Sequence, residues 1–263
     1  MMAAVDFEAN RFQSAAAHYL AGRPPYPRAL IERTADLIGL TRADRVLDLG
    51  CGPAQLALAF APRVLGVVAM DPEPAMLQIA RAAAASVPNV EVVEGRSENL
   101  GPALGVFKAV VIGRAFHWMD RARTLADLDR LITPDGAVVL IGDDHPEIPE
   151  NARIRAFDAF FRAYTADDER HALRAGGEYA PDTSVLLASP FRRLERIIVY
   201  SRLPLDVETL AHRLLSLSST SRARLGDRAD AMLADLRQRF AAWEAEGPME
   251  EVLASSALIA WRG

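Results

Sequence analysis

Val46-Leu47-Asp48-Leu49-Gly50-Cys51-Gly52-Pro53 is an apolar run that ends in a glycine-rich turn. A helix-like segment starts at Gln55, and a second apolar run, Val67-Val68-Ala69-Met70, ends in Asp71. Strand, glycine turn, helix, strand and acid, in that order, build a pocket for a nucleoside-containing cofactor. Glycine permits the tight turn and lets the backbone approach a ligand closely. The N-terminus of the following helix adds donors and a partial positive charge. The dinucleotide fingerprint needs a third glycine, and position 55 is Gln. Gly50-Cys51-Gly52 alone therefore fits a plain turn as well as a binding loop. Asp71 tips the balance, because a carboxylate at the end of the second strand accepts hydrogen bonds from both ribose hydroxyls. Its other reading is a helix cap ahead of Pro72, but the neighbouring glycine turn favours the ribose.

Working outward, apolar runs predict strands at 45–49, 65–70, 90–93, 106–112 and 137–141, with helical patterns at 55–61, 74–86 and 121–132 between them. Pro134-Asp135-Gly136 reads as a turn. This alternation predicts a parallel sheet with helices on both faces, and the nearly continuous apolar character of the strands fits burial on both sides. Upstream, 7–21 has helical spacing and stops at Gly22-Arg23-Pro24-Pro25-Tyr26-Pro27, whose prolines exclude a regular helix. An amphipathic helix follows at 27–40. Downstream of Asp143 come a helix at 151–164, a polar stretch at 165–190 that reads as a loop or lid, a strand at 194–203, helices at 207–217 and 222–246, and a final strand at 253–261.

The 263 residues are enough for one large α/β domain. The longest apolar runs, such as Ala137-Val138-Val139-Leu140-Ile141, are too short to span a bilayer, so no membrane partner is expected. The first residues carry no signal-peptide pattern. A net charge of −5, spread along the chain, argues against a nucleic-acid partner. Cys51 is the sole cysteine, which excludes an intrachain disulfide and a cysteine zinc cluster and agrees with a cytoplasmic location. No metal is expected.

The segment 46–61 resembles motif I of class I S-adenosylmethionine-dependent methyltransferases, and Asp71 matches the acid of their second motif. Asn89-Val90-Glu91-Val92-Val93-Glu94-Gly95-Arg96-Ser97-Glu98-Asn99-Leu100 resembles the third, which borders adenine. Ala115-Phe116-His117-Trp118-Met119-Asp120 and Leu131-Ile132-Thr133-Pro134-Asp135-Gly136 resemble the exit of the fourth strand and the turn before the fifth. The resemblance is strongest over 10–143. Tyr19-Leu20-Ala21-Gly22-Arg23-Pro24-Pro25-Tyr26-Pro27 and His117-Trp118 are similar to a small-molecule, trans-aconitate-like branch. Arg96 and Asp135 depart from the usual Asp and Gly.

The resemblance implies a Rossmann-like α/β fold, a mostly parallel seven-stranded sheet with helices on both faces and a helical cap. It implies one methyltransferase domain over 1–263. Its core would be 28–143 plus the strands near 191–203 and 253–262, with 1–27, 144–190 and 205–252 over the active site. S-adenosylmethionine is the implied cofactor and a small molecule the methyl acceptor. Gly50 and Gly52 would line its methionine part, Asp71 would hold the ribose, and Pro72 and Met76 would pack on adenine. Ser97 would meet the adenine edge through its backbone, with Glu98 nearby. Gly113 and Arg114 would lie against the amine and sulfonium end, and Tyr19 and Arg23 would reach the carboxylate, for which an Arg fork is well shaped.

Methyl transfer from a sulfonium is an in-line displacement, so alignment and exclusion of water are the protein's main tasks. An oxygen or carbon acceptor needs a base, and His117 is the first candidate because imidazole titrates near neutrality. Asp143, Asp144 and His145 come second. Tyr179, Arg202 and Ser218-Ser219-Thr220-Ser221 are the polar residues that downstream segments offer to an acceptor. Two other readings stand beside this one: a nicotinamide or flavin oxidoreductase, and a protein that keeps the cofactor fold without transferring a methyl group.

Overall fold

The computed structural model describes residues 13–165 and 179–263. Apolar runs at the expected places form β1 (Arg45–Leu49), β2 (Gly66–Asp71), β3 (Val90–Glu94), β4 (Phe107–Gly113) and β5 (Ile132–Asp144), with β6 (Arg193–Leu205) and β7 (Met249–Trp261) later in the chain. They make one seven-stranded sheet in the order β3-β2-β1-β4-β5-β7-β6. β1 to β5 pair in parallel, and β7 runs antiparallel to both β5 and β6. The mostly parallel Rossmann-like sheet is thus present. Strand order reverses between β1 and β4, where open α/β sheets leave a crevice beyond the strand ends.

The period-two geometry of strands sorts their residues into two clusters. Val46, Val67, Val111, Val139 and Ile259 pack with Leu30, Ile31, Leu56 and Phe60. Leu47, Val68, Val110, Val138 and Leu258 pack with Leu125, Leu128, Leu186 and Phe191. The helical residues just named come from α2 (Arg28–Ile38), α3 (Gln55–Phe60) and α5 (Arg121–Leu128), while α4 (Pro74–Ala84) adds Ala80 to the first cluster and α1 (Ala16–Gly22) precedes them in the chain. Leu186 belongs to α7 (Asp182–Leu187). A third cluster is built by α6 (Ala152–Tyr164), α8 (Val207–Leu215) and α10 (Arg228–Ala245), from Phe157, Phe160, Leu210, Leu214, Met232, Leu236 and Phe240.

Local chemistry explains the helix ends. α2 follows Pro27 and stops at Gly39, whose φ of 73° only glycine adopts at little cost. Asp120 caps α5 by accepting from Arg123 N–H, and Asp206 caps α8 by accepting from Thr209 N–H.

Several boundaries differ from expectation. Residues 134–136, read as a turn, lie inside β5: the register jumps from Phe107↔Ile132 to Ala109↔Ala137, so 133–136 bulge out of a continuing strand. Residues 182–187, read as part of a loop, form α7 because Leu186 reaches the core. The helix expected at 222–246 breaks into α9 (Arg222–Leu225) and α10 at Gly226, where φ is 55°. The last strand begins four residues early, at Met249. Residues 1–12, which hold the start of the segment of helical spacing at 7–21, and 166–178 of the expected lid lie outside the described residues. Among the described residues no helix is long and apolar enough to cross a membrane.

Candidate active site at the carboxyl ends of β1, β2 and β4

The glycine turn is tied to the second strand from both sides. Gly50 and Cys51 N–H donate to Met70 O at 2.8 and 3.0 Å. Gly52 N–H donates to Asp71 Oδ2 at 2.8 Å. Gly50 has φ of 72°, and a Cβ there would stand 2.6 Å from Ala115 Cβ, so the exit turn of β4 rests directly on it. Gly52 has φ of 52°, and no described atom lies within 4 Å of where its Cβ would be. One glycine is needed for close packing and the other faces open space.

Asp71 is buried, and its Oδ1 accepts from Glu73 N–H at 2.9 Å. The cap reading does not hold, because the N-cap of α4 is Glu73 and no side chain caps it; Asp71 instead ties down the backbone just before the helix. Two N–H groups occupy part of the carboxylate's acceptor capacity, roughly four lone-pair positions, and the remainder can serve hydroxyl donors. Burial raises its pKa to about 6, against the two N–H bonds. Asp48 is a residue that the sequence reading left without a role. It is 1% exposed, its Oδ2 accepts from Ala57 N–H at 2.8 Å, and burial raises its pKa to about 7. It is the one acid in an otherwise apolar run, Val46 to Leu49, which is the available signal. Cys51 beside it is buried, and burial pushes its thiol well above the ordinary range.

The β3 exit lies next to β2: Gly95 N–H donates to Asp71 O at 3.1 Å. Ser97 is buried in a 3₁₀ turn, and Glu98 pairs with Arg96 at 3.3 Å. Pro72 is half-buried, and Met76 is buried in the first turn of α4.

The proline-rich stretch after α1 lies across the tip of β4. A Cβ at Gly113 would meet Tyr26 Oη at 2.5 Å and Leu56 Cδ1 at 2.6 Å. Arg114, with φ of 54°, stacks on Tyr26 at 4.5 Å, pairs with Asp143 and donates from Nη2 to Pro24 O at 2.8 Å. Such a left-handed non-glycine backbone is strained, and strain of this kind gathers at functional sites. Arg23 stands 5.5 Å from the Tyr19 ring and feels Arg114 and Asp143. Burial lowers its pKa, as expected for a cation short of a counter-ion. Arg23 Nε and Arg114 Nη1 are buried without a hydrogen-bond partner among the described residues. Arg114 thus pairs with Asp143, whose charge Arg23 also feels, and each guanidinium keeps one buried donor for an anion.

His117 sits in the 3₁₀ turn Phe116–Trp118, its ring 4.8 Å from Trp118, on the segment whose Ala115 and Met119 meet Gly50. Of the second candidates, Asp143 is ion-paired with Arg114, and Asp144 Oδ1 accepts from His145 N–H. His145 Nε2 lies 2.7 Å from Glu251 Oε2. The downstream polar residues are turned to other tasks: Arg202 pairs with Glu150 and Glu250, Thr220 Oγ1 donates to Leu214 O, and Ser221 Oγ to Ser218 O. Among the described residues no group of three or more His, Cys, Asp or Glu side chains is arranged to hold a metal ion.

Residues 46–136 match the family model of the methyltransferase domain. That segment runs from β1 into β5, and over it the chain is similar to class I, S-adenosylmethionine-dependent methyltransferases. It is 36% identical over 136 residues to an uncharacterised methyltransferase of Mycobacterium tuberculosis, covering 52% of this chain and 53% of that one. It is 28% identical over 143 residues to a malonyl-[acyl-carrier protein] O-methyltransferase of Halalkalibacterium halodurans, covering 49% and 52%. The chain spans about half the length of the curated relatives it matches. Among solved structures it is similar to a protein provisionally classed as a type II methyltransferase from Anaeromyxobacter dehalogenans, with 27% identity, a TM-score of 0.61 and coverage of 91% and 97%. A methyltransferase from Thiobacillus denitrificans, in complex with S-adenosyl-L-homocysteine, shares the fold at 14% identity and a TM-score of 0.53, over 98% and 100% of the two chains.

Proposed function

We propose that this protein transfers the methyl group of S-adenosylmethionine to an oxygen, nitrogen or carbon atom of a small metabolite or natural product. The observation that carries the reading is the Gly52–Asp71 contact, with an acid of spare acceptor capacity beside open space at the glycine turn. The residues present fit the cofactor. Asp71 accepts the ribose hydroxyls, Gly50 and Gly52 line the methionine part, and Pro72 and Met76 flank adenine beside Ser97 and Glu98. The buried donors of Arg23, with Tyr19, meet the carboxylate, and the Gly113–Arg114 backbone borders the amine. A bound S-adenosylmethionine supplies an electrophilic methyl group on a positive sulfur.

The chain's own part is then alignment and exclusion of water. Helical segments after Asp143 and after Leu205 cover the acceptor, and His117 takes its proton when the acceptor atom is oxygen or carbon. Enclosure by these segments and the absence of a basic run in the sequence favour a small acceptor over a polymer.

Incubation of the full chain with tritiated-methyl S-adenosylmethionine and a panel of phenolic, carboxylic, amine and enolic metabolites tests this. Label should enter at least one small acceptor. His117→Ala should lower turnover at saturating cofactor by about 10²–10⁴-fold, the usual contribution of a positioned base, with cofactor affinity retained. Unchanged turnover removes His117 from the role. Tight binding of a nicotinamide or flavin nucleotide, with no methyl transfer, contradicts the proposal as a whole.

A further inference from the structure

The segment that carries Arg23 is held by residues about 190 and 230 positions downstream. Gly22, the last residue of α1, packs on α8 so closely that a Cβ there would stand 2.4–2.5 Å from the backbone of His212 and Arg213. Gly22 O accepts from Arg213 Nε at 3.2 Å. The other two nitrogens of the same guanidinium go to one carboxylate: Arg213 Nη2 to Glu251 Oε1 at 2.6 Å, and Nη1 to Glu251 Oε2 at 2.7 Å. Glu251 is 1% exposed and lies on β7. The next residue is fixed in turn, because the Asn151 side chain bonds both Val252 N–H and Val252 O at 2.9 Å. Arg213 and His145 hold the Glu251 carboxyl down at about 2, against burial, so it stays charged.

We propose that Arg213, clamped by Glu251, is a positioning residue for the cofactor carboxylate. It holds the carbonyl one peptide bond before Arg23 and so sets where the Arg23 fork stands. The assignment rests on the reading of Arg23 given above. The third donor satisfies a carbonyl at the end of α1 that has no partner inside the helix, and so ties the guanidinium to the peptide that leads into Arg23. Arg23 in turn keeps a buried donor without a partner among the described residues, which requires a backbone fixed by something else. The fork geometry matters here, since an ammonium makes no equivalent set of three directed bonds.

Isothermal titration of the full chain with two probes tests the proposal: S-adenosylhomocysteine, and 5′-methylthioadenosine, which keeps the nucleoside and thioether but has no carboxylate. Arg213→Lys should weaken S-adenosylhomocysteine about tenfold, as loss of a directed hydrogen bond to a charged fork does, and leave methylthioadenosine unchanged. Arg23→Met should weaken S-adenosylhomocysteine further, and the double variant should bind no more weakly than Arg23→Met alone, since coupled sites are not additive. Gly22→Ala, which leaves every charge in place, should reproduce the Arg213→Lys pattern and serves if that variant does not fold. Equal weakening of both probes, no weakening of either, or additive effects with Arg23→Met overturns the proposal. If the wild type discriminates between the probes but Arg23→Met keeps the discrimination, the carboxylate role of Arg23 is wrong and this assignment falls with it. If the wild type binds neither probe, the cofactor reading itself has failed.

Discussion

At the scale of single residues, two buried carboxylates control the site, and each is kept near the edge of ionisation. Asp48 is the clearer case. Burial moves its pKa from 3.8 to about 7, with Ala57 N–H opposing and Asp71 adding to the rise. Folding therefore takes up a proton in this range. The stabilising contribution is complete below the unfolded value and is lost as pH rises through the folded value. Asn at this position keeps an oxygen for Ala57 N–H and carries no charge. Asp48→Asn should therefore raise the melting temperature at about pH 8, by at least the 2–4 °C that about 1 kcal/mol brings in a chain of this size. The gain should shrink towards about pH 4, and a gain independent of pH contradicts the assignment. The site's acid at the end of β2 was readable in advance from its position after an apolar run. Asp48 was visible too, but nothing in a linear pattern says that a strand acid will be turned onto the next helix's N–H.

At the scale of elements, the glycine turn and the exit of β4 act as a unit. Gly50 has a positive φ and has Ala115 Cβ at 2.6 Å from where a methyl would stand, so Gly50→Ala meets both a backbone and a packing penalty. The expected loss is about 2–4 kcal/mol, measurable by urea titration, together with loss of cofactor affinity. A variant that melts and binds like the wild type shows that the two turns are independent. Elements β1, β2 and β4 were legible because strands buried along nearly their whole length read as almost continuous apolar runs, and β3, at the sheet's edge, because Val90, Val92 and Val93 favour a strand. The interior of β5 was not: Pro134-Asp135-Gly136 has turn chemistry, and the parallel partner β4 accommodates it as a bulge without ending the strand. α7 was missed because six residues are too few to show a helical period.

At the scale of the whole molecule, residues distant in sequence close the site. Arg213 and Glu251 would pass in a sequence for solvated charges, yet both are buried and joined to each other and to Gly22. Long-range pairing of this kind leaves no local signature, so the coupling of β7 and α8 to the N-terminal segment becomes visible only in three dimensions. Removing one partner of a buried pair strands the other, and Glu251→Ala should cost about 3–5 kcal/mol near neutral pH. Because the Glu251 pKa is depressed on folding, to about 2, the pair stabilises above the unfolded carboxylate range and its contribution fades as pH falls towards about 2. A cost that stays constant from neutral pH to about pH 3 contradicts the charge-pair account.

The central claim is that the Gly52–Asp71 cradle holds S-adenosylmethionine, and calorimetric titration of the full chain with S-adenosylhomocysteine at about pH 8, where Asp71 is ionised, tests it most directly. The account expects one saturable site, weakened at least about tenfold in Asp71→Asn, whose amide accepts fewer hydrogen bonds than a carboxylate. Absence of saturable binding by the folded wild type, or equal affinity in the two proteins, contradicts it.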